Sequence, residues 1–335
     1  MLFVPGVLRR SVSLAALVAI LFAAVAVGIA CGSVNLPLGR VLGALVHPQL
    51  RGDVTTIVWS LRVPRVLIAT LVGAALGVSG SLLQSMLRNG LVDPYLTGGS
   101  AGAAFAIAVA IALNVPVPYF AGLAFVTALA TTIGVAGLAR RGRGVSPERL
   151  ILAGIAVSSL FAGLTTLIIM LSPSAGVSLS ILAWIGGSLA GHGWSDLGWA
   201  AAYAALGFAV AASVVPALNA IRLGDARAVA LGVDMNRTRW LALVASSLLV
   251  AAAVSVSGVI GFVGLIVPHL VRAMCGADMR WTVPASIPAG AAIVVLADTV
   301  ARSAVPPLEL PIGVLLSLIG LPVFLYIAFR RREQA

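Results

Sequence analysis

The chain has 335 residues, 61% hydrophobic and 9% charged, with a formal net charge of +11. Soluble domains are roughly 45–50% apolar and about 25% charged, so this composition excludes a soluble enzyme and a disordered protein. The basic residues are spread between apolar runs rather than clustered, which excludes a nucleic-acid partner. An all-α, polytopic integral membrane protein is the class that remains.

A spanning helix needs about 20 mostly apolar residues. The first run, roughly 12–30, follows Arg9-Arg10. With Gly28-Ile29-Ala30 before Cys31 it resembles a lipoprotein signal. Gly28, however, stands where such a signal has leucine, the apolar stretch is long for a signal, and nine further runs follow. Residues Cys31 to Arg62 read as a polar excursion with a short helix of its own. The next runs are 65–86, 97–113 and 117–138, the last two separated by the turn formers Asn114, Pro116 and Pro118. The run 150–171 ends at Ser172, Pro173, Ser174 and Gly176. The stretch after it, around Trp184, is too short for a span and predicts a partial helix near one surface. Runs 197–217, 240–258, 260–274, 283–300 and 311–329 complete ten predicted spans, with Gly258, Gly261 and Gly264 blurring the seventh and eighth.

The arginines set the orientation. With the N-terminus cytoplasmic, sixteen lie inside: 9, 10, 88, 140, 141, 143, 149, 222, 227, 237, 239, 272, 280, 330, 331 and 332. Five lie outside, Arg40, Arg51, Arg62, Arg65 and Arg302, so both termini are expected inside. Trp59, Trp194, Trp199, Trp240 and Trp281 fall near span ends, as interfacial anchors do. Ala75–Gly80 and Gly90–Pro94 are echoed by Ala253–Gly258 and Gly264–Pro268, which predicts two inverted five-helix halves in one transmembrane domain, 1–335.

The chain has no lysine and therefore no phosphate loop of the G-x-x-x-x-G-K-[ST] form. Any ATP chemistry would sit on a partner. The two cysteines, Cys31 and Cys275, fall on opposite sides of the membrane and predict no disulfide. Intramembrane carboxylates mark ion pathways, yet all ten acidic residues fall in loops, tails or span ends, including Glu333. The deepest, Asp298, is one turn from Arg302 and predicts an ion pair. No carboxylate is left for ion coupling, which counts against a secondary transporter. His47, His192 and His269 form no metal site by spacing, and His192 stands as a candidate ligand contact. Gly73, Gly77, Gly80, Gly98, Gly99 and Gly102 suit either tight helix packing or a backbone-lined pathway. The inside loop 222–234 centres on Ala226-Arg227-Ala228-Val229-Ala230-Leu231 between Gly224 and Gly232, which reads as a short exposed helix suited to docking another protein or as a loop that merely satisfies the positive-inside rule.

Several segments together carry a family likeness: Val63-Pro64-Arg65, Val78-Ser79-Gly80 with Gln84, Arg88-Asn89 with Asp93-Pro94, and Gly99-Ser100-Ala101-Gly102. Further along are Gly261 to Arg272, Ala297-Asp298 with Arg302, and Glu309-Leu310-Pro311-Ile312-Gly313. They resemble the permease subunits of ABC importers for iron–siderophore complexes, haem and cobalamin, over residues 57 to 329, with Gly90 standing where that family usually has proline. The resemblance implies ten helices per subunit in a bacterial cytoplasmic membrane. It implies a second permease copy, for which a homodimer is favoured, and two cytoplasmic ATPase subunits that carry ATP and Mg. It also implies a periplasmic or extracellular substrate-binding protein, and no catalytic residue, metal or cofactor on this chain. Carried over residue by residue, it assigns ATPase coupling to Leu223, Gly224, Asp225, Ala226, Arg227, Ala228, Leu231 and Gly232. It assigns binding-protein docking to Arg62, Arg65 and Arg302, for which interfacial anchoring is the rival reading, and an inner gate to Asn89, Leu91, Ser146 and Pro147. Ser158, Ser159 and Thr165 become candidates for lining the pathway. An ion-coupled secondary transporter and a non-transporting membrane scaffold are the alternatives.

Overall fold

A computed structural model describes residues 6–47, 52–141, 144–172, 174–306 and 308–330. Arg51, Arg143, Pro173, Arg331, Arg332 and Glu333, used above, lie outside the described residues. The order is α1 (Gly6–Ala30), α2 (Leu38–Val46), α3 (Asp53–Thr56), a π-helical turn (Ile57–Arg62), α4 (Val63–Met86), a 3₁₀ turn (Pro94–Thr97), α5 (Gly99–Ala112) and α6 (Phe120–Leu138). A two-residue ribbon follows, β1 (Arg140–Arg141) antiparallel to β2 (Gly144–Val145). Then come α7 (Pro147–Leu171), α8 (Ala175–Ile185), α9 (Trp194–Arg222), α10 (Asp225–Ala230), α11 (Met235–Ser257), α12 (Val263–Cys275), α13 (Met279–Ser303) and α14 (Ile312–Arg330). Every one of the ten apolar runs is helical. Among the described residues seven helical segments are long and apolar enough to cross a membrane, while α5, α8, α12 and the described part of α14 are shorter.

The core is α4, α11 and α13, and α1 and α7 form the periphery. Lipid tails are as apolar as leucine, so helix association in a membrane rests on close backbone packing and interhelical hydrogen bonds. Both are present. A Cβ on Gly73 would collide with the Gly290 carbonyl, and one on Gly80 with the Gly264 carbonyl. These glycines let α4 lie directly against α13 and α12. Gly99 and Gly102 likewise meet Thr132 and Thr131 of α6. Of the two readings left open by sequence, these positions take the packing one. Serine pairs add polar contacts: Ser79 with Ser246 at 2.6 Å and Ser81 with Ser286 at 2.8 Å.

Three expectations are refined. The second helical rod begins at Asp53, not near 65: α3, the π-helical turn and α4 run without a break over Asp53–Met86. Polar Asp53, Thr55, Thr56 and Arg62 interrupt the apolar run without interrupting the backbone ladder. The internal echo does not place its glycines alike. Gly80 is buried mid-helix, whereas Gly258 ends α11 at φ +64. Pro94 starts a 3₁₀ turn, whereas Pro268 lies inside α12. Asp298, near the end of α13, is packed inside the protein at 1% exposure.

The partial helix expected after Ser172 is α8, and the seventh and eighth runs part at the break between Ser257 and Val263. Polar groups from the loop after α4 bridge that break. Ile260 N–H donates to Tyr95 Oη at 3.0 Å, and Phe262 N–H donates to the Asp93 carboxylate.

Candidate functional site

Two polar clusters sit at opposite ends of α4, whose 24 residues span about 36 Å at 1.5 Å per residue. That length matches the hydrocarbon core of a bilayer, about 30 Å.

At the Arg65 end, Arg65 donates to Asp298 through Nε and Nη2 at 2.9 and 2.8 Å, and through Nη1 to Glu309 at 3.0 Å. Asp298 also pairs with Arg302 at 3.3 Å, one turn along α13. Arg302 donates to the Gly28 carbonyl, and Arg62 to those of Ile29 and Ala30 at 2.8 and 2.6 Å. The last carbonyls of a helix lack intrahelical partners, and here two guanidiniums satisfy those of α1. Arg62 and Arg302 are therefore buried, at 4% and 3% exposure, whereas Arg65 reaches the surface together with Glu309. Arg62 closes the π-helical turn, a rare geometry that concentrates at functional sites. Arg62, Arg65, Arg302, His192 and Glu309 line a cavity of about 320 Å³. His192 lies 3.5 Å from Asp196. Burial lowers the His192 pKa; Asp196 opposes the shift and Arg65 adds to it. Trp59 and Trp194 stack beside this end at 6.4 Å, with Trp194 Nε1 donating to the Trp59 carbonyl at 2.8 Å.

At the Arg88 end, α10 is bounded by Gly224 at φ +111 and Gly232 at φ +80. Only Ala228 of the helix is buried. Leu223, Val229 and Leu231 are more than half exposed, and Ala226 and Arg227 are exposed beside them. Asn89 Oδ1 accepts from Leu91 N–H at 2.9 Å, which folds 89–91 into a tight turn that leaves Leu91 exposed. Ser146 and Pro147 start α7, and Ser146 N–H donates to the Ala139 carbonyl at 3.1 Å. The two segments connect through Pro94–Thr97: the Leu96 carbonyl abuts Gly154 of α7 so closely that a Cβ there has no room. Asp93 in this loop accepts from Tyr95 N–H at 2.8 Å. Burial pushes its pKa up to about 6 against the pull of its backbone hydrogen bonds from Tyr95 and Phe262.

On α7, Ser159 is exposed, Thr165 is buried with Oγ1 donating to the Phe161 carbonyl at 2.7 Å, and the buried Ser158 Oγ has no hydrogen-bond partner among the described residues. Leu152, Leu160, Met170 and Leu171 leave a wide apolar face of this helix uncovered. His269 is buried, its Nδ1 2.9 Å from the Leu265 carbonyl. No group of three or more potential metal ligands occurs among the described residues. Cys31 is exposed, Cys275 is buried, and both are free.

Two clusters escape sequence reading. One is Gln84, whose Nε2 donates to the Val92, Gly264 and Leu265 carbonyls while its Oε1 accepts from Arg272. Gln84 and Arg272 both fall in segments that carry the family likeness, but nothing in the sequence pairs them across 188 residues. The other is Asp225, held between Arg88 and Arg239.

Residues 18–330 match the model of the FecCD transport family. The hemin transport system permease protein HmuU of Yersinia pestis is 38% identical over 91% of this chain and 93% of its own. The vitamin B12 import system permease protein BtuC of Vibrio cholerae is 37% identical over 83% of this chain and 84% of its own. Among solved structures, an inward-facing transporter assigned to the metal-chelate type of ABC transporter superposes with a TM-score of 0.85. It is 32% identical, and the match covers 95% of this chain and 98% of that one.

Proposed function

The chain belongs to the FecCD transport family, and from that premise we propose that it carries an iron chelate (a siderophore complex or haem) or cobalamin inward across a bacterial cytoplasmic membrane. As a member it is a permease subunit of an ABC importer and not an enzyme. ATP hydrolysis belongs to separate subunits, and a substrate-binding protein is the further partner. The finer architecture in this reading is ten crossings in two inverted five-helix halves, both termini cytoplasmic, and a homodimer with the pathway on its axis. The helicity of all ten apolar runs, the inside excess of arginine and the uncovered face of α7 support it.

The observation that carries the reading is α10, a short helix whose exposed Val229 and flanking Leu223 and Leu231 surround a buried Ala228, at the end of α4 away from the Arg65 cluster. In the proposed mechanism ATP closes the paired ATPases and displaces Leu223 to Gly232. The bundle has two arrangements, and nucleotide favours one of them. The loops at Asn89–Leu91 and Ser146–Pro147 form the inner gate, and Ser158, Ser159 and Thr165 line the path. The binding protein docks at the Arg65 end. Arg65 meets it at the rim, and Arg62 and Arg302 shape that rim from inside. The bulk of such ligands suits a preformed chute better than a tight site. The one carboxylate buried within a span among the described residues, Asp298, is neutralised by two arginines, which leaves it unsuited to ion coupling.

Proteoliposomes holding the permease with its ATPase and binding protein test this. ATP-dependent uptake of a ferric hydroxamate, haem or cyanocobalamin is expected. Uptake driven by an imposed ion gradient without the ATPase would overturn it.

A further inference from the structure

We propose that Asp225 is the positioning residue through which α10 moves the loop after α4. The proposal deepens the coupling reading of α10 and rests on it. The carboxylate sits in the first turn of α10. Its Oδ1 lies 2.8 Å from Arg88 Nη2, and its Oδ2 accepts from Arg239 Nη2 of α11 at 3.1 Å. One side chain thus joins the exposed short helix, the end of α4 and the start of α11. Arg88 directly precedes Asn89, whose side chain holds Leu91, so displacing Arg88 carries 89–91 with it.

The backbone at Arg88 adds an independent observation. Arg88 N–H donates to the Ser85 carbonyl and Asn89 N–H to that of Gln84, the paired bonds of a Schellman helix end. Arg88 occupies the left-handed position of that motif, at φ +50. Glycine is the usual residue there, because a Cβ is unfavourable in this conformation. Local folding therefore favours glycine, and the arginine is explained by what its side chain reaches. Arg88 also shares a cavity of about 360 Å³ with Arg222, Arg272 and His269. Asp225 supplies the opposite charge that faces Arg88.

The pair is nearly half exposed on both sides, at 44% and 47%. Exposed pairs contribute little to stability. This one fixes an orientation, and its loss leaves the fold standing. It joins two segments that no helix connects, and that is its proposed use: ATPase movement passed to α10 reaches Asn89–Leu91 as a rigid displacement.

The test uses the whole transporter with spin labels at Val229→Cys and Leu91→Cys in a Cys31→Ser background, diluted with unlabelled copies. Pulsed electron-spin distances are read before and after ATP–vanadate trapping. In the unmodified clamp the distance should hold within about 2 Å, the scale of ordinary helix shifts. In Asp225→Asn and Arg88→Gln it should shift on trapping, with no larger shift in the double variant, and Asp225→Glu should restore it. A separate Ala226→Cys cross-link to the ATPase reports whether α10 docks. No cross-link in the otherwise unmodified complex overturns the coupling reading and this proposal with it. A cross-link together with Asp225→Asn distances like those of the unmodified clamp overturns the clamp alone. So does an additive double variant, or loss of the cross-link in Asp225→Asn, which would make Asp225 a docking contact.

Discussion

Replacing Asp298 with asparagine keeps the shape of the side chain and removes the charge between the buried Arg302 and the largely buried Arg65. Asp298 is 1% exposed, and the Arg65 and Arg302 side chains that face it are 11% and 4% exposed. Taking one partner from a buried pair costs about 3–5 kcal/mol, because the other charge stays buried. The lower end applies here: Arg65 keeps Glu309, and Arg302 keeps the Gly28 carbonyl. Glu309→Gln removes a carboxylate that is 31% exposed, and exposed pairs are worth about 0–1 kcal/mol. Cys275, at 1% exposure, provides the assay. In a Cys31→Ser background, maleimide labelling reports unfolding as denaturant or temperature rises. Asp298→Asn should lower the midpoint far more than Glu309→Gln, and its deficit should persist in high salt, which screens buried pairs weakly. Equal small losses, or a deficit that salt abolishes, would show the cluster to be solvated and the reasoning wrong.

Gly73→Leu places a side chain against the Gly290 carbonyl and should cost at least about 1–3 kcal/mol in the same labelling assay. Gly122→Ala, which meets nothing within 4 Å, should be neutral or slightly stabilising. Asp93 has a folded pKa raised to about 6 from 3.8. Its contribution to stability is thus fully present below pH 4 and lost as pH rises through 6. The stability of Asp93→Asn relative to the unmodified chain should accordingly improve between pH 4 and 7, and a flat difference would contradict the burial argument. Leu231→Asp puts a charge on a residue 67% exposed on the proposed docking face. It forfeits about 1.5–3 kcal/mol of apolar burial and should deplete the ATPase that co-purifies, without changing the permease's own unfolding midpoint.

The seven long apolar helices among the described residues were legible because each is a long apolar run, and a run of that kind has few other stable forms in lipid. The Asp298–Arg302 pair was legible because four residues make one helical turn. The rest of that cluster was not: Arg65 meets Asp298 and Glu309 across 233 and 244 residues. The start of the second rod at Asp53 was missed for a related reason. Arg62 keeps the rod ordered by donating to the end of α1, a contact that no local pattern encodes. The unlike settings of the echoed glycines have the opposite cause. Glycine serves both close packing, as at Gly80, and positive φ, as at Gly258, and sequence does not distinguish the two. The short helix α10 was legible through its flanking glycines, whereas its link to Arg88 spans 137 positions, from 88 to 225, and needed the fold.

The absence of lysine bears on the Arg65 end in a way composition alone does not reveal. Arg62 serves three carbonyls, at Ile29, Ala30 and Val34, and Arg65 serves two carboxylates, which suits a planar fork of five donors better than a single ammonium. Most of the positive charge at this end is therefore committed inside the subunit. Arg65 is the partly exposed exception, at 11%, and Glu309 already occupies its outward Nη1. An acidic group on the docking protein would compete with Glu309 for that nitrogen. Glu309→Gln removes the competitor and adds one net positive charge to the rim. Docking affinity for the binding protein should then rise severalfold at low ionic strength, mainly through a faster association rate. The gain should shrink near 0.5 M salt, because the rim is exposed and screened. Surface plasmon resonance on the detergent-solubilised transporter measures both. An association rate that falls, or a gain that salt leaves untouched, would mean that Glu309 itself contacts the partner and that Arg65 is a structural residue.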